Sequence, residues 1–171
     1  MADSSFTVVG GGYGNYANGK KATVGGGWYN KASGEEATVG GGYFNTASGP
    51  IATVGGGCVG TASGKWATVG GGIENTASGE GTTVGGGYGN MADSNYATVG
   101  GGYGNYANWR DATVGGGWND TASGWWATVG GGCTNARDRT RRHRGRRVWK
   151  PLRWRLQLHG RLPVVRPIGP C

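Results

Sequence analysis

Hydrophobic and polar positions recur along this chain with a period of fifteen residues, and the period persists through most of the sequence. Each period contains a valine followed by three glycines, as in Val24-Gly25-Gly26-Gly27. Nine copies of Ala-Thr-Val-Gly-Gly-Gly-aromatic-x-Asn-x-Ala-Ser-Gly-x-x run without insertion or deletion to about Asn135. Such regularity is typical of a repeat array, because each coil must place the same residue at the same corner. The repeating valines are Val9, Val24, Val39, Val54, Val69, Val84, Val99, Val114 and Val129.

The alternation within each unit predicts two short strands, at 22–24 and 31–33 in the second copy. Because alternate side chains of a strand point to opposite sides, Ala22, Val24 and Ala32 are expected inside and Thr23 outside. Glycines and the Asn30 region form the corners, where positive φ favours glycine and asparagine. The pattern therefore predicts an all-β solenoid of nine coils within a repeat domain at residues 1–135. Its core should contain one valine and two alanines per coil, in a rod about 40 Å long.

Composition argues against other glycine-rich or repetitive classes. The chain contains 41 glycines among 171 residues, and each glycine triplet would cost a helix roughly 3 kcal/mol relative to alanine. Collagen requires glycine at every third position, a pattern that is absent. Disorder is the remaining alternative for so glycine-rich a chain. Against it stands the fixed spacing of valine, alanine and asparagine, which a flexible linker has no reason to keep.

A column of mostly aromatic residues follows the glycine triplets. A contiguous apolar column on a thin rod usually marks an interface, so the sequence predicts side-by-side self-association. A second aromatic set occupies the variable corner of the unit and includes Trp66, Tyr96, Trp125 and Trp126. The candidate interface column comprises Tyr13, Trp28, Tyr43, Ile73, Tyr88, Tyr103 and Trp118, and is completed by Cys58 and Cys133.

The units resemble the head repeats of trimeric autotransporter adhesins, also called haemagglutinin-type repeats. The resemblance rests on the strand and glycine corner of Ala22-Thr23-Val24-Gly25 and on Ala47-Ser48-Gly49, and covers about residues 5–135. It implies a left-handed parallel β-roll, packing as a homotrimer, extracellular or cell-surface display, and adhesion to a host or matrix surface. The family's usual repeat is often one residue shorter and its corner is not normally three glycines. No stalk heptads or anchor barrel follow here, so an isolated head is expected.

A threonine column suggests an alternative function. Regular hydroxyl arrays on flat β-solenoids resemble those of ice-binding proteins, which usually present two parallel ranks. Here the second rank, which includes Ser33 and Ser48, falls on the other strand and is expected on the other face. The candidate ice- or surface-facing column comprises Thr23, Thr38, Thr53, Thr68, Thr83, Thr98, Thr113 and Thr128.

Candidate catalytic and metal-binding chemistry is sparse, and the sequence predicts a non-enzymatic protein without a cofactor. Gly10-Gly11-Gly12-Tyr13-Gly14 resembles a phosphate loop, but its equivalent recurs in every coil with no helix after it. The adjacent carboxylates Glu35 and Glu36 occupy a solvated corner, and no Cys-x-x-Cys spacing suggests a metal site. Cys58 and Cys133 lie five coils apart, about 24 Å at the strand spacing, which is too far for a disulfide within one chain.

The charge is divided between two regions. Residues 1–135 carry five Lys/Arg and eight Asp/Glu, whereas residues 136–171 carry twelve Lys/Arg and one Asp. The arginine-rich tail predicts nucleic-acid binding there, if anywhere. A second hypothesis explains the tail as the product of a single-base frameshift near residue 136. Permissible codons for residues 142–150, read one base forward, restore Ala-Thr-Val-Gly-Gly-Gly and place a valine fifteen positions after Val129. The tail is expected to be irregular and to lie apart from the rod.

The amino-acid sequence predicts neither a signal peptide nor membrane insertion. Residues 1–6 lack an apolar run, and no apolar run approaches the roughly 20 residues of a membrane span. If the protein is displayed on a surface, its export signal and its anchor are expected outside this sequence.

Overall fold

The computed structural model describes residues 6–138, which form two nine-stranded parallel β-sheets. The first sheet contains β1 (Val8–Val9), β3 (Thr23–Val24), β5 (Thr38–Val39), β7 (Thr53–Val54), β9 (Thr68–Val69), β11 (Thr83–Val84), β13 (Thr98–Val99), β15 (Thr113–Val114) and β17 (Thr128–Val129). The second contains β2 (Tyr16–Ala17), β4 (Lys31–Ala32), β6 (Thr46–Ala47), β8 (Thr61–Ala62), β10 (Thr76–Ala77), β12 (Met91–Ala92), β14 (Tyr106–Ala107), β16 (Thr121–Ala122) and β18 (Ala136–Arg137).

Successive coils stack in strict register. Val24 pairs with Val39 in the first sheet, and Ala32 pairs with Ala47 in the second. Each strand contacts the strand fifteen residues away, so every column of the sequence repeat becomes a straight column along the rod. The predicted all-β solenoid of nine fifteen-residue coils is thereby confirmed. We number the coils 1 to 9 by their valines, from Val9 to Val129.

A third parallel ladder runs between the two sheets, at the first residue after each glycine triplet. Single bridges join Tyr13 to Trp28, Trp28 to Tyr43, and so on to Cys133. Each bridge residue donates its N–H to the carbonyl of the last triplet glycine in the following coil, as Trp28 does to Gly42 at 2.9 Å. The sequence indicated two strands per coil, whereas the backbone makes three sets of contacts between coils.

The apolar core is formed by the predicted columns. Seven valines, from Val24 to Val114, have no solvent exposure. Two columns of alanines are buried as well. One column contains the second residue of the second-sheet strands, such as Ala32, and the other contains the residue before a first-sheet threonine, such as Ala22. Val9 is only partly buried, as expected at the first coil. Each fully buried valine contributes roughly 1.5–3 kcal/mol. The predicted inward positions of Ala22, Val24 and Ala32 are thus correct.

An asparagine column, which the sequence placed at a corner, also lies in the interior. Asn30, Asn45, Asn75 and Asn105 have no solvent exposure. The backbone N–H of Asn30 donates to Asn15 Oδ1 at 2.9 Å, and its side-chain Nδ2 donates to the carbonyls of Gly26 and Gly42. The same pattern repeats in the other asparagine coils. Buried amides are stable only when hydrogen-bonded, so this column ties each glycine corner to the next coil.

Arg137 ends the second sheet. β18 pairs with β16 and so extends the stack two residues past the expected domain boundary at residue 135. There an exposed arginine occupies the position of the buried alanines. The expectations for the tail beyond Asp138, including its irregularity, its nucleic-acid binding and the frameshift, concern residues outside those that the structure describes.

Candidate binding surfaces

The predicted interface column forms an exposed ridge along the third ladder. Its seven named members each expose 40% to 60% of their surface. Tyr88 and Tyr103 stack with ring centroids 5.1 Å apart, and Tyr103 stacks on Trp118 at 4.8 Å. Rings stacked along the rod contact each other through their faces and therefore present mainly edges outward. The parallel ladder thus brings together residues that are far apart in the chain.

A neighbouring column widens the ridge in the first half of the rod. Tyr29 and Phe44 stack at 4.9 Å, and Tyr43 meets Phe44 edge-on at 4.6 Å. With Val59, these side chains extend the ridge sideways over coils 2 to 4. We call the interface column together with this neighbouring column the aromatic face. The second column has no signature in the sequence, because its residue types vary from coil to coil.

This neighbouring column has left-handed backbone geometry throughout. Tyr29, Phe44 and Val59 have φ of 53°, 54° and 57°, while Gly89 and Gly104 hold the equivalent position at 62°. Left-handed geometry costs an ordinary L-residue roughly 1–2 kcal/mol and is worse for a β-branched one. Bulky exposed side chains therefore occupy positions where glycine would relieve strain.

The second aromatic set lies at a different corner. Trp66, Tyr96 and Trp126 also have φ near 60°, and Trp125 meets Trp126 edge-on at 5.7 Å. Lys65 Nζ lies 3.8 Å from the centre of the Trp66 ring, a favourable cation–π contact. This set is interrupted by Gly81 and Asp111, so it forms separate patches and no continuous ridge.

Charged pairs occupy that corner in coils 1 and 2. Lys21 Nζ lies 2.7 Å from Glu36 Oε1, and Lys20 pairs with Glu35 at 3.5 Å. Hydrogen bonding and the charge of Lys21 hold the pKa of the Glu36 carboxyl below its ordinary value. Because the pair is exposed, salt screens it and its contribution to stability is small.

On the aromatic face, two tyrosine hydroxyls have raised pKa values because they form hydrogen bonds with neighbouring side chains. A hydrogen bond with Glu74, followed by its negative charge, raises the pKa of Tyr88 above the ordinary value. A hydrogen bond with Tyr13 does the same for Tyr29. Tyr29 and Tyr88 therefore stay neutral and protonated at physiological pH.

The threonine column faces outward from the first sheet. Thr23 to Thr113 are half-buried except for Thr83, which is exposed like Thr128. Thr68 and Thr83 pair in register across coils. Another threonine rank, Thr46, Thr61 and Thr76, faces outward from the second sheet. The two hydroxyl ranks thus belong to different sheets.

Cys58 is a partly buried free thiol in the aromatic face. The bridge ladder places it five coils from Cys133 along the same column, as the sequence predicted.

Over residues 6–138, no group of three or more His, Cys, Asp or Glu side chains could hold a metal ion. Within the same residues, no helix is long and apolar enough to cross a membrane.

One buried polar atom breaks the asparagine column. Asp120 replaces asparagine in coil 8 and is fully buried. Its Oδ1 accepts the N–H of Asn135, but Oδ2 has no hydrogen-bonding partner. In the asparagine coils before it, the amide nitrogen at this place donates to two glycine carbonyls, as Asn105 does to Gly101 and Gly117, whereas coil 4 has Gly60 there. A carboxylate oxygen cannot donate when ionised, so the interaction is lost.

Replacing Asp120 with asparagine should therefore raise the free energy of unfolding by about 1–3 kcal/mol, because the amide restores donors for the carbonyls of Gly116 and Gly132. Urea unfolding followed by circular dichroism measures the change. The reverse substitution, Asn75→Asp, is the matched control and should destabilise the rod by a similar amount. Equal stability of wild type and Asp120→Asn would contradict this account of the column.

No protein-family model matches this chain, and a search of curated proteins finds no relative.

Proposed function

We propose that this protein is a structural and adhesive surface module that binds through its aromatic face. The observation that carries the proposal is the continuous exposed ridge from Tyr13 to Trp118 on a rod with strict register. Large exposed apolar patches on soluble proteins usually mark interaction sites. A regular stack of β-coils gives such a ridge a rigid support.

Exposed bulky side chains in the neighbouring column support a functional role for this face. Glycine at the positions of Tyr29, Phe44 and Val59 would avoid the cost of left-handed geometry, as it does at Gly104. The bulky side chains also leave apolar surface in water, which gives the free rod no benefit. A binding partner that covers them supplies the benefit.

The resemblance to adhesin head repeats adds the biological setting of the proposal. Display at a cell surface or outside the cell, adhesion to a host or matrix surface, and assembly as a homotrimer all follow from it. Self-association is also supported by the aromatic face itself, since a second copy is one partner that could cover it. Polyanions such as nucleic acids would bind only through the basic tail.

Serine substitutions at Tyr43, Tyr103 and Trp118 test the proposal. We expect them to weaken adsorption to matrix-coated surfaces at least about tenfold, because aromatic residues dominate the energy of protein interfaces. The matched control is serine at Trp66, Tyr96 and Trp126, which are also exposed but lie on the other corner. Quartz-crystal microbalance measurements give the affinities. Unchanged adsorption of the first triple variant, or an equal loss in the control, would contradict the proposal.

Ice binding is a second candidate function, favoured by the in-register threonine column of the first sheet. A flat array of regularly spaced hydroxyls is the feature shared with ice-binding solenoids. Thermal hysteresis measurements with and without Thr68→Leu and Thr98→Leu test it. Hysteresis that disappears in the double variant would support ice binding, whereas no hysteresis in the wild type excludes it.

A further inference from the structure

The corner that carries the second aromatic set is densely aromatic near the end of the rod, in coils 6 to 8. Tyr96, Trp109, Trp125 and Trp126 lie there, and each exposes between 38% and 60% of its surface. Trp125 and Trp126 meet edge-on with ring centroids 5.7 Å apart. We call these four residues the terminal patch. An exposed cluster of large rings usually marks a binding site.

The coil register brings the members of the terminal patch together. The Trp126 N–H donates to the carbonyl of Arg110 at 3.3 Å, and the Asp111 N–H donates to the carbonyl of Asn95 at 3.0 Å. Because successive coils are about 4.8 Å apart, the patch extends roughly 10 Å along the rod. It lies on a different corner from the aromatic face, so a partner bound to one leaves the other accessible.

The arginine-rich segment begins beside the terminal patch. β18 pairs in register with β16, and the Ser123 N–H donates to the carbonyl of Arg137 at 2.9 Å. The Arg137 guanidinium donates through Nη1 to the carbonyl of Thr128 at 3.2 Å. The chain therefore passes next to Ser123, two residues before Trp125, where the described residues end. Residues 139–171 carry eleven Lys/Arg and no Asp/Glu, so a strongly basic segment starts at this corner.

From this juxtaposition we propose that the terminal patch docks on the anionic phospholipid surface of a membrane, and that the arginine-rich segment supplies the electrostatic attraction. The inference goes beyond the proposed function, which concerns the aromatic face. Tryptophan and tyrosine favour the headgroup region of a bilayer, because each ring combines an apolar body with a polar N–H or O–H. Basic clusters are attracted to anionic lipids. Stable anchoring at a membrane surface usually requires two such signals together.

The geometry of the terminal patch favours a bilayer over a nucleic acid. Binding of single-stranded nucleic acid combines base stacking on aromatic side chains with a positively charged groove that follows the backbone. Here Trp125 and Trp126 cross at 81° and cover each other edge to face. Arg110 is paired with Asp111 at 3.4 Å, and Asp93 is exposed nearby in coil 6, so the corner is not a positive groove. The headgroup region accepts clustered rings without fixing their orientation.

Vesicle binding by the full-length protein tests the proposal. The probe is phosphatidylcholine vesicles containing about 30% phosphatidylserine, and pure phosphatidylcholine vesicles are the neutral comparison. We expect cosedimentation with the anionic vesicles that weakens as salt is added. Serine at Trp109, Trp125 and Trp126 should lower the partition coefficient at least about tenfold, because apolar surface that the bilayer covers is removed.

The matched control is serine at Tyr43, Tyr103 and Trp118, which removes three exposed rings from the aromatic face. This variant should partition like the wild type, and circular dichroism should show the same β-structure in all three proteins. Wild-type protein that does not bind anionic vesicles would overturn the proposal. So would unchanged binding of the terminal-patch variant, since the arginine-rich segment would then act alone, or an equal loss in the control.

A single-stranded oligonucleotide distinguishes the other class of anionic partner. If the terminal-patch variant lost affinity for the oligonucleotide and kept its affinity for vesicles, the patch would be a nucleic-acid site and the membrane proposal would be wrong. These measurements use no matrix protein. Their failure would therefore leave the proposed adhesion through the aromatic face to its own adsorption test.

A second variant is designed to increase the affinity. The Asp111 carboxylate lies beside Arg110 and opposes its charge. Asparagine keeps the shape of the side chain and tolerates the φ of 57° at Asp111. We expect Asp111→Asn to raise partitioning into anionic vesicles about fivefold and to leave neutral vesicles unaffected, because one negative charge is removed at the docked surface.

Glu35→Gln is the matched control for Asp111→Asn. Glu35 is likewise paired with a cation, Lys20 at 3.5 Å, and occupies the same corner in coil 2. Because coil 2 lies far more than a Debye length from the docked end, its neutralisation should change partitioning less than about twofold. Equal effects of the two variants, or no effect of Asp111→Asn, would show that the terminal patch does not approach the bilayer.

Discussion

Replacing Val69 with aspartate is expected to lower the free energy of unfolding by more than about 4 kcal/mol. Val69 is fully buried in coil 5 and pairs in register with Val54 and Val84. An ionised carboxylate at this position would lie between two valines without an opposite charge, and burying an unpaired charge is among the largest penalties in a protein core. Because each coil contacts only its neighbours, the defect should also separate the rod into two shorter stacks.

Thermal unfolding followed by far-ultraviolet circular dichroism measures this effect. The matched control is Thr68→Asp, which adds the same charge to the same strand on its outward side. We expect the control to remain close to wild type and the Val69 variant to melt far lower, or in two stages. Melting temperatures of the two variants within about 2 °C of each other would show that the valine column does not form the core.

The valine column illustrates what the sequence could predict. A fifteen-residue period without insertions fixes which residues share a column, and strand alternation fixes that Val24 points inward while Thr23 points outward. These two rules were sufficient for the coil number, the parallel register and the burial of Val24 and Ala32. Neither rule depends on knowing any side-chain conformation.

The asparagine column shows where those rules were insufficient. Asparagine favours turns because it tolerates left-handed geometry and bonds its own backbone, so a corner position was the natural expectation for Asn30. The structure buries Asn30, since its amide meets two glycine carbonyls and its oxygen accepts the next coil's N–H. The recurrence of asparagine at one position was the available signal. A solvated corner has no need for the same residue in seven of nine coils.

The candidate binding face was predicted in part. The interface column could be identified because its aromatic members recur every fifteen residues. The neighbouring column could not, since Tyr29, Phe44, Glu74 and Gly89 share no residue type. What unites them is the left-handed backbone, which follows from the geometry of the corner. Their contacts with the interface column depend on the side-chain conformations of the rings, which the sequence does not specify.

The glycine triplets look uniform in the sequence, yet alanine substitutions in one triplet are expected to give opposite results. Gly70→Ala should be strongly destabilising, because its Cβ would lie 2.3 Å from the carbonyl oxygen of Gly85 in the next coil. Gly72→Ala should be at least as damaging, since it combines a φ of 84° with a Cβ 2.2 Å from the carbonyl oxygen of Gly87. Both clashes are with backbone, so relief would require neighbouring coils to separate.

Gly71→Ala is the internal control for these two variants. A Cβ at Gly71 would meet no atom within 4 Å, and its φ lies outside the left-handed region. Alanine there should be neutral or should stabilise the rod by about 0.4–1 kcal/mol, because it restricts the unfolded chain more than glycine does. We expect losses above about 3 kcal/mol for Gly70→Ala and Gly72→Ala, in line with other overpacked interiors. Urea unfolding of the three variants gives the comparison. Similar stabilities for all three would mean that the coils are not held at the close spacing that the two outer glycines permit.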